Sequence, residues 1–380
     1  MKLILTTIMM MSLIFSNQSI PAQHSNGPTY DLLIGTYTKP GNTNGIYVYT
    51  FDAETGDFSY KNGVGNITNP SFLTISKDRR FVYAVSEVGK GQGSVSAFSY
   101  DAATRKLEYL NSSSAGGDGP CHLSVDDSNK FVFVGNYGGG SLAAIPIKAD
   151  GSLSPDIQAI QHQGSSIHAN QDQPRVHATV VSPDNNYLLV PDLGTDKVNL
   201  YYIDYKSSDP LIPADPAFVQ LEAGSGPRHF AFHPNNIFGY LIQELTGHLT
   251  AFSYQEGQLE TIQTLLTTPK GYTGNPEGAD IHVSPDGKFL YTSLRAKLNE
   301  IVIYAIGMNG TLTYVDRQPT FGGHPRNFVI DPSGNYLLVG NAQSDEVVIF
   351  KRDQETGLLS DTGKRINLGS PVCLKFVTPD

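Results

Sequence analysis

Ionisable side chains suited to proton transfer and anion binding occur at corresponding positions of a repeating sequence pattern. His177, Arg228 and Arg326 each lie five residues before a recurring turn, while Glu244 and Arg295 follow an apolar strand behind such a turn. A histidine or a glutamate can take a proton from water, and arginines can face an oxyanion, a carboxylate or a phosphate. These residue types therefore indicate a site that binds a small ligand and transfers a proton.

The alternative interpretation is that the same groups line a channel as buried ion pairs. If only structure mattered, positions of equal geometry in a repeat would call for similar residues in every copy. The copies are instead interchangeable and apolar within the strands, but differ and are polar at these positions. Unlike ionisable groups that converge on one cavity favour a ligand-based explanation.

Other motifs give weaker indications. The glycine-rich segment 136–141 (NYGGGS) could offer backbone N–H groups to an anion or form a tight turn. His122, His229 and His282 are expected in blade cores or the channel wall, and His229 is the best placed because it follows Arg228. No Gly-x-Ser-x-Gly, Walker or His-Glu-x-x-His motif occurs, so a serine nucleophile, a nucleotide and a zincin-type metal site have no support in the sequence. We assign no cofactor and no metal-binding residues, and whether a metal is bound is left open.

The elements that position these residues are the strands of a sevenfold repeat. The recurring turn falls at Ser76, Asp126, Ser182, His233, Ser284, Asp331 and Thr378. A period of about 50 residues with several short strands in each unit is typical of a β-propeller blade. The last turn ends the chain, and segment 31–36 opens the fold with no turn ahead of it. We therefore predict an all-β fold of seven four-stranded blades, closed by pairing residues 372–377 with residues 32–36.

Composition and charge limit the function classes. The net charge of −10 and the lack of a basic run argue against a nucleic-acid partner. Residues 1–22 combine Lys2 with an apolar run that is short for a bilayer span, which predicts a signal peptide, export to the periplasm or the medium, and no membrane contact after cleavage. Residues 23–380 are predicted to form a single propeller domain. The oligomeric state is left open.

The sequence holds two cysteines, Cys121 and Cys373. Both lie five residues before their turns, so we expect them at equivalent positions of two blades that are separated by a complete blade. A disulfide needs Cα atoms within about 7 Å. We therefore predict two free, buried thiols.

Several longer motifs resemble one known family. They are GPCHLSVD (119–126), GNYGGGS (135–141), QHQGSS (161–166), PDLGTDKV (191–198), GPRHFAFHP (226–234), QEL (243–245), IHVSPDGKFLYTS (281–293) and GHPRNF (323–328). Together they resemble the propeller-type lactonases, which comprise seven-bladed 6-phosphogluconolactonases and the fungal carboxy-muconate lactonizing enzymes. The resemblance implies a seven-bladed propeller that hydrolyses a sugar lactone, with His177, Arg228, Glu244 and Arg295 as working groups.

The chain departs from the family pattern at two motifs. The family usually shows Pro-His-x-His where this chain has Pro174-Arg175-Val176-His177, and Ser-Asn-Arg where it has Ser293-Leu294-Arg295. An export signal is also unexpected, because a phosphorylated sugar lactone would be cytoplasmic.

The sequence-based hypothesis is hydrolysis of 6-phosphogluconolactone or a related aldonolactone at the mouth of the channel. Catalysis is assigned to His177, Glu244, Arg228 and Arg295, with either His177 or Glu244 as the base. The expected substrate contacts are Arg326, His229, Asn136, Tyr137, Asp192 and Arg175. Lactonization or cycloisomerization of an unsaturated acid, and a non-catalytic exported binding propeller, are the alternatives.

Overall fold

The repeats fold into seven four-stranded antiparallel sheets arranged as the blades of a propeller, which confirms the predicted fold. The computed structural model describes residues 27–39 and 44–378. Within these residues the chain forms no helix that is long and apolar enough to cross a membrane. The predicted signal peptide, residues 1–22, lies outside the described residues.

Blade 1 combines the two ends of the chain, and each later blade takes four consecutive strands. The strands are β1 Thr29–Thr36, β2 Ile46–Asp52, β3 Phe58–Val64, β4 Leu73–Ile75, β5 Phe81–Ser86, β6 Ser94–Asp101, β7 Lys106–Ser114, β8 Pro120–Val125, β9 Phe131–Asn136, β10 Ser141–Pro146, β11 Gln158–Gln161, β12 Val180–Val181, β13 Tyr187–Asp192, β14 Lys197–Ile203, β15 Leu211–Gln220, β16 Pro227–Phe232, β17 Phe238–Gln243, β18 His248–Gln255, β19 Gln258–Leu266, β20 Gly278–Val283, β21 Phe289–Leu294, β22 Glu300–Ile306, β23 Leu312–Pro319, β24 Pro325–Ile330, β25 Tyr336–Asn341, β26 Glu346–Arg352, β27 Leu359–Asn367 and β28 Pro371–Val377.

The recurring turn joins the first strand of a blade to the second through one side-chain oxygen. Ser284 Oγ accepts the backbone N–H of Phe289 at 3.0 Å, and Asp331 Oδ1 accepts that of Tyr336 at 2.6 Å. Serine and aspartate can both serve at this position because the side-chain oxygen of either residue accepts the backbone N–H at the start of the second strand. That N–H group would otherwise have no partner.

The ring closes through β28 and β1, as predicted. Their antiparallel register pairs Asp31 with Val377, Leu32 with Phe376 and Gly35 with Cys373. This pairing joins the two chain ends within one sheet, so blade 1 has the same four strands as the others and the ring has no open seam.

The hydrophobic core lies between neighbouring blades. Between blades 6 and 7, for example, Tyr291 and Ile303 pack in one fully buried cluster with Phe328 and Val339. Each blade therefore buries its apolar faces against its neighbours, and the inner strands line the central channel.

A β-bulge near the start of the inner strand re-aims the channel-lining residues. In blades 3, 5 and 7 the register shifts directly after the opening proline and leaves Cys121, Arg228 and Arg326 without a partner across the ladder. In blade 1 the residue skipped in this way is Val372. A bulge bends the strand and turns the extra side chain, here toward the channel.

Both cysteines are free and buried, as predicted. Their predicted equivalence is wrong by one residue, because Val372 rather than Cys373 takes the place of Cys121 in the ladder. The register follows the proline that opens each of these strands, whereas the Thr378 turn lies one residue later than the other turns. Burial raises the pKa of Cys121 to about 12 and that of Cys373 to about 11, which keeps both as thiols.

Candidate active site

Glu244 lies at the centre of the polar cluster at the channel mouth. It directly follows β17, and its carboxylate contacts Arg228 in β16 and Arg295 directly after β21. Arg228 Nε donates a 2.8 Å hydrogen bond to Oε2, and Arg295 Nη2 lies 3.0 Å from the same oxygen without hydrogen-bond alignment. Burial raises the pKa of Glu244, but the charges of Arg295 and Arg228 outweigh burial and lower it. Glu244 is therefore an ionised carboxylate held by two guanidinium groups.

His177 faces this carboxylate from the wall of blade 4. Its Nε2 lies 4.0 Å from Glu244 Oε2, and its ring packs edge-on against Tyr137, with 5.4 Å between the ring centroids. Burial and the charge of Arg228 hold the pKa of His177 well below its ordinary value. The imidazole is neutral at physiological pH, so one ring nitrogen is free to accept a proton.

Arg228 reaches across to blade 6 as well as to Glu244. Its Nη1 donates to the carbonyl oxygen of Ala279, which fixes the direction of the guanidinium. Burial and the nearby charge of Arg295 lower the pKa of Arg228 to about 10, so it remains protonated at neutral pH.

A second carboxylate, Glu87, lies on the opposite side of the mouth and was not among the predicted site residues. It accepts hydrogen bonds from the hydroxyls of Tyr37, at 2.9 Å to Oε2, and Ser71. Arg326 Nη2 is 3.9 Å from Glu87 Oε2, and its guanidinium carbon lies 5.5 Å from the centre of the Tyr37 ring. Arg326 is thus close to an opposite charge but not tightly paired with it.

Below the mouth, Asp280 anchors a layer of polar side chains. It accepts from His229 Nδ1 at 2.8 Å, from His282 Nε2 at 3.0 Å, and from the side chain of Asn327. Burial and the charge of Arg228 lower the pKa of His229 to about 4, so its imidazole is neutral and donates to Asp280. This layer positions His229, whose ring centroid lies 5.3 Å from that of His177.

The predicted residues divide into two groups by position. His177, Arg228, His229 and Arg326 line one small cavity, together with Phe72, Cys121, Asn327 and Val372, and Glu244, Arg295 and Tyr137 adjoin it through the contacts above. Arg175 lies at the edge of this group, where its guanidinium packs 5.2 Å from the Tyr137 ring centre while it binds Asp172 and the Asn170 carbonyl.

Asn136 and Asp192 are engaged away from the cavity. Asn136 donates to the Ala115 carbonyl and to Ser141, inside the turn between β9 and β10. Asp192 accepts from His162 Nδ1 at 2.7 Å and from the Arg175 backbone N–H at 2.7 Å. Both side chains therefore stabilise loops around the mouth.

One further residue, His324, contributes to the electrostatics of the mouth. Its side chain is half-buried, and partial burial with the charges of Arg295 and Arg326 lowers the pKa of His324 to about 4. Three guanidinium groups, Arg228, Arg295 and Arg326, thus face two carboxylates, Glu244 and Glu87, among neutral histidines. This surplus of positive charge suits an anionic ligand or a developing oxyanion.

No group of three or more His, Cys, Asp or Glu side chains arranged to hold a metal ion occurs among residues 27–39 and 44–378. The two carboxylates of the mouth instead accept hydrogen bonds from protein side chains, Glu244 from Arg228 and Glu87 from Tyr37 and Ser71.

The fold and the mouth define a β-propeller enzyme with a cationic, histidine-containing site for a small molecule. The family model described as lactonase, seven-bladed β-propeller, matches residues 31–376. The chain belongs to this family, and it is a lactonase, an enzyme that opens the ring of a small-molecule lactone.

Individual relatives match over nearly their whole length. A 6-phosphogluconolactonase from Bacillus subtilis is 35% identical over 347 residues, which cover 90% of this chain and 97% of the relative. A 6-phosphogluconolactonase from Formosa agariphila is 35% identical over 356 residues, with 91% and 99% covered. The structure of a periplasmic gluconolactonase from Pseudomonas aeruginosa superposes with a TM-score of 0.88 at 37% identity, with 92% of this chain and 99% of that chain covered.

Proposed function

We propose that the protein hydrolyses a sugar lactone at the channel mouth, with His177 as the general base. The observation that carries this proposal is the pairing of a neutral, buried His177 with an ionised Glu244 at 4.0 Å. Both groups are weak bases, because burial and the charge of Arg228 lower the pKa of His177 and two arginines lower that of Glu244. Protonation of His177 places the new charge beside the Glu244 carboxylate, whereas protonation of Glu244 would remove the anion that pairs with Arg228 and Arg295.

In the proposed reaction, His177 takes a proton from a water molecule as the water oxygen attacks the lactone carbonyl carbon. Negative charge moves onto the carbonyl oxygen, where a guanidinium group stabilises it. The tetrahedral intermediate then breaks the ring C–O bond, and the imidazolium returns the proton to the departing alkoxide. The products are a carboxylic acid and a hydroxyl group, and the histidine ends in its starting form.

Arg228 and Arg295 are proposed to face the oxyanion because they share Glu244 and lie on its side of the mouth. Arg326 is assigned to an anionic group elsewhere on the substrate, since it lies on the opposite side, beside Glu87. His229, Tyr137 and Arg175 are proposed to shape the wall around the ligand, together with Asn136 and Asp192 in the supporting loops.

The physiological substrate is proposed to be an unphosphorylated aldonolactone or a uronate-derived lactone. The N-terminal segment reads as an export signal, with residues 23–380 as the exported domain, and phosphorylated sugars are kept inside the cell. The periplasmic gluconolactonase among the structural relatives supports the same assignment. In vitro, 6-phosphogluconolactone is expected to be hydrolysed as well, because the mouth carries surplus positive charge.

Steady-state hydrolysis of gluconolactone and of its 6-phosphate, corrected for the uncatalysed rate, tests the proposal. His177→Ala is expected to lower kcat by about 10²- to 10⁴-fold, the usual contribution of a general base. His233→Ala is the matched control, because His233 lies in the turn between β16 and β17, away from the mouth, and binds the Gly287 carbonyl in the corresponding turn of blade 6. Wild-type rates for His177→Ala would refute the assigned base, and a preference above about a hundredfold for the phosphate would refute the choice of substrate.

A further inference from the structure

A second cavity lies between blades 1 and 2, outside the channel. Its volume is about 630 Å³, within the range of small-molecule sites. Its lining consists of Val64, Gly65, Asn66, Ile67, Thr68, Ser86, Val88, Gln92, Ser94, Ser96, Phe98, Tyr109 and Ser112. None of these side chains carries a charge, so the groove is unsuited to the anions that the mouth favours.

The sheet register places four serines of blade 2 on one face of this groove. Ser86 pairs with Ser94 across the ladder, and Ser96 pairs with Ser112 on the next strand. Directly opposed residues share a face, as do residues two apart, so all four hydroxyls point the same way. The hydroxyls span three adjacent strands, or about 10 Å at the usual strand spacing.

An aromatic pair continues the same face beyond the serines. Phe98 lies two residues after Ser96 and is opposed by Tyr109, with 5.8 Å between the ring centroids. Phe98 is buried, whereas Tyr109 is 59% exposed. The groove thus combines a row of hydroxyl groups with an accessible aromatic ring.

The serine hydroxyls have no partner within the described part of the chain. Ser86 and Ser96 are only 9% and 7% exposed, yet the side chains of all four serines make no hydrogen bond to another described residue. In blade 5 the positions of Ser96 and Ser112 are taken by Thr250 and Thr264, whose hydroxyls bind each other at 3.1 Å. Ser86 and Ser96 are therefore about nine-tenths buried, and their unpaired hydroxyls open into the cavity, together with those of the half-buried Ser94 and the exposed Ser112. Polar side chains in such positions normally bind a partner, which points to a ligand in the cavity.

Blades 6 and 7 show how the same space is filled elsewhere. The positions of Ser94 and Ser112 are taken by Glu300 and Arg317 in blade 6, which form an ion pair. In blade 7 they are taken by Glu346 and Arg365, 3.8 Å apart. Blade 2 replaces both charged residues with serine and leaves the groove open and neutral.

We propose that this groove binds an uncharged saccharide of about two pyranose units. Hydroxyls and the amides of Asn66 and Gln92 can both donate and accept hydrogen bonds, as sugar hydroxyls require. Tyr109 offers a flat apolar surface to a sugar ring. The groove begins at Ser86, next to Glu87 of the mouth. Because the mouth is proposed to take a sugar lactone, we choose a carbohydrate over other neutral ligands, and this choice rests on the proposed function.

Equilibrium binding of cellobiose and maltose to the full protein, measured by calorimetry, tests this proposal. Neither sugar is a lactone, so the result does not depend on whether the mouth hydrolyses lactones. We expect binding of at least one sugar with a Kd near the millimolar range. The double variant Ser94→Glu with Ser112→Arg copies blades 6 and 7 and is expected to weaken binding by at least tenfold.

Tyr109→Ala provides an independent variant, because this ring is exposed and its loss should leave the fold intact. It is expected to weaken binding by about fivefold to tenfold, in line with an aromatic contact of about 1 kcal/mol. Tyr60→Ala is the matched control, since Tyr60 is 50% exposed on blade 1 and lies outside the groove lining. Binding that is undetectable in the wild type, or equal in the wild type and Tyr109→Ala, would overturn the proposal.

Discussion

Buried arginines occur in two regions of this propeller, and their surroundings differ. Arg352, near the turn end of blade 7, is 2% exposed and fully paired. It donates to the Tyr291 hydroxyl at 2.8 Å, to the Gly334 carbonyl at 2.9 Å and to both oxygens of Asp286 at 3.0 and 3.2 Å. One cation has one carboxylate and two neutral acceptors, so its charge is balanced within the protein.

At the channel mouth, three arginines share two carboxylates. Arg295 Nη2 is buried without a well-aligned hydrogen bond, and Arg326 has its carboxylate 3.9 Å away. Burying a charge without full pairing is costly, and no requirement of the blades explains it, because Arg352 shows that the fold can satisfy a buried guanidinium completely. The incomplete pairing at the mouth therefore points to a ligand, whereas the complete pairing of Arg352 points to stability.

Arg352→Met should produce the largest change in stability. It leaves the Gly334 carbonyl and the Tyr291 hydroxyl without the donor they share, and Asp286 without its cation, although Asp286 keeps Ser284 and the Lys288 backbone as donors. Breaking a buried pair typically costs about 3–5 kcal/mol. Urea unfolding followed by fluorescence measures the loss. Lactonase activity per folded molecule should stay at the wild-type level, and a fall in kcat with unchanged stability would contradict the distinction between the two regions.

Arg228→Met should have the reverse effect. Losing one donor to an oxyanion usually lowers kcat by about 10²- to 10³-fold, or roughly 2.7–4 kcal/mol. Stability should fall less than in Arg352→Met, because Glu244 retains the charge of Arg295 3.0 Å away and the Ala279 carbonyl is the one neutral acceptor that loses its donor. Comparing kcat and the urea midpoint for this variant and Arg352→Met gives a paired test, in which equal loss of stability would reject the interpretation.

The pH dependence of hydrolysis sharpens the comparison further. The active form of the base is neutral His177, and its pKa lies well below the ordinary histidine value of about 6.5. The activity should therefore stay constant as pH falls through about 6.5 and decline only under more acidic conditions. Arg228→Met removes the neighbouring charge that contributes most to this depression, so the acid limb of kcat/KM should move toward higher pH. An acid limb at about 6.5 in the wild type would exclude a buried His177 as the base.

The sequence predicted the ring because its signals are local and repeated. The serine or aspartate turn recurs with each blade, and Ser284 and Asp331 show that one oxygen of either residue performs the same task. The ring closure was predicted because segment 31–36 has no turn ahead of it and the Thr378 turn has no strand behind it. The position of Cys373 was wrong because the count began from the Thr378 turn, whereas Pro371 marks the bulge and sets the register.

The site was harder to predict because equal sequence position does not determine where a side chain points. Tyr137 faces the mouth, whereas Asn136, one residue earlier, points to the opposite side of the strand and binds its own turn. Glu87 occupies the same position as Glu244, yet its role depends on Tyr37, directly after β1, and on Ser71, just before β4. The sequence comparison used the residue five positions before each turn, which is Ala279 in blade 6. Asp280 lies one residue later, and the bulge in this strand directs its side chain inward.

The smallest expected effect concerns Arg326, which separates charge recognition from chemistry. Because it lies beside Glu87 rather than Glu244, Arg326→Met should leave kcat on gluconolactone within about twofold of the wild type. If the residue holds an anionic substituent, KM for 6-phosphogluconolactone should rise by about tenfold or more, since a hydrogen bond to a charged group contributes about 1.5–3 kcal/mol. Steady-state kinetics on both lactones, with Arg326→Lys as the variant that retains charge, measures this difference. Arg326→Lys should recover part of the affinity for the phosphorylated lactone. An equal loss on both lactones would place Arg326 at the reacting carbonyl, so that all three arginines of the mouth would serve the oxyanion.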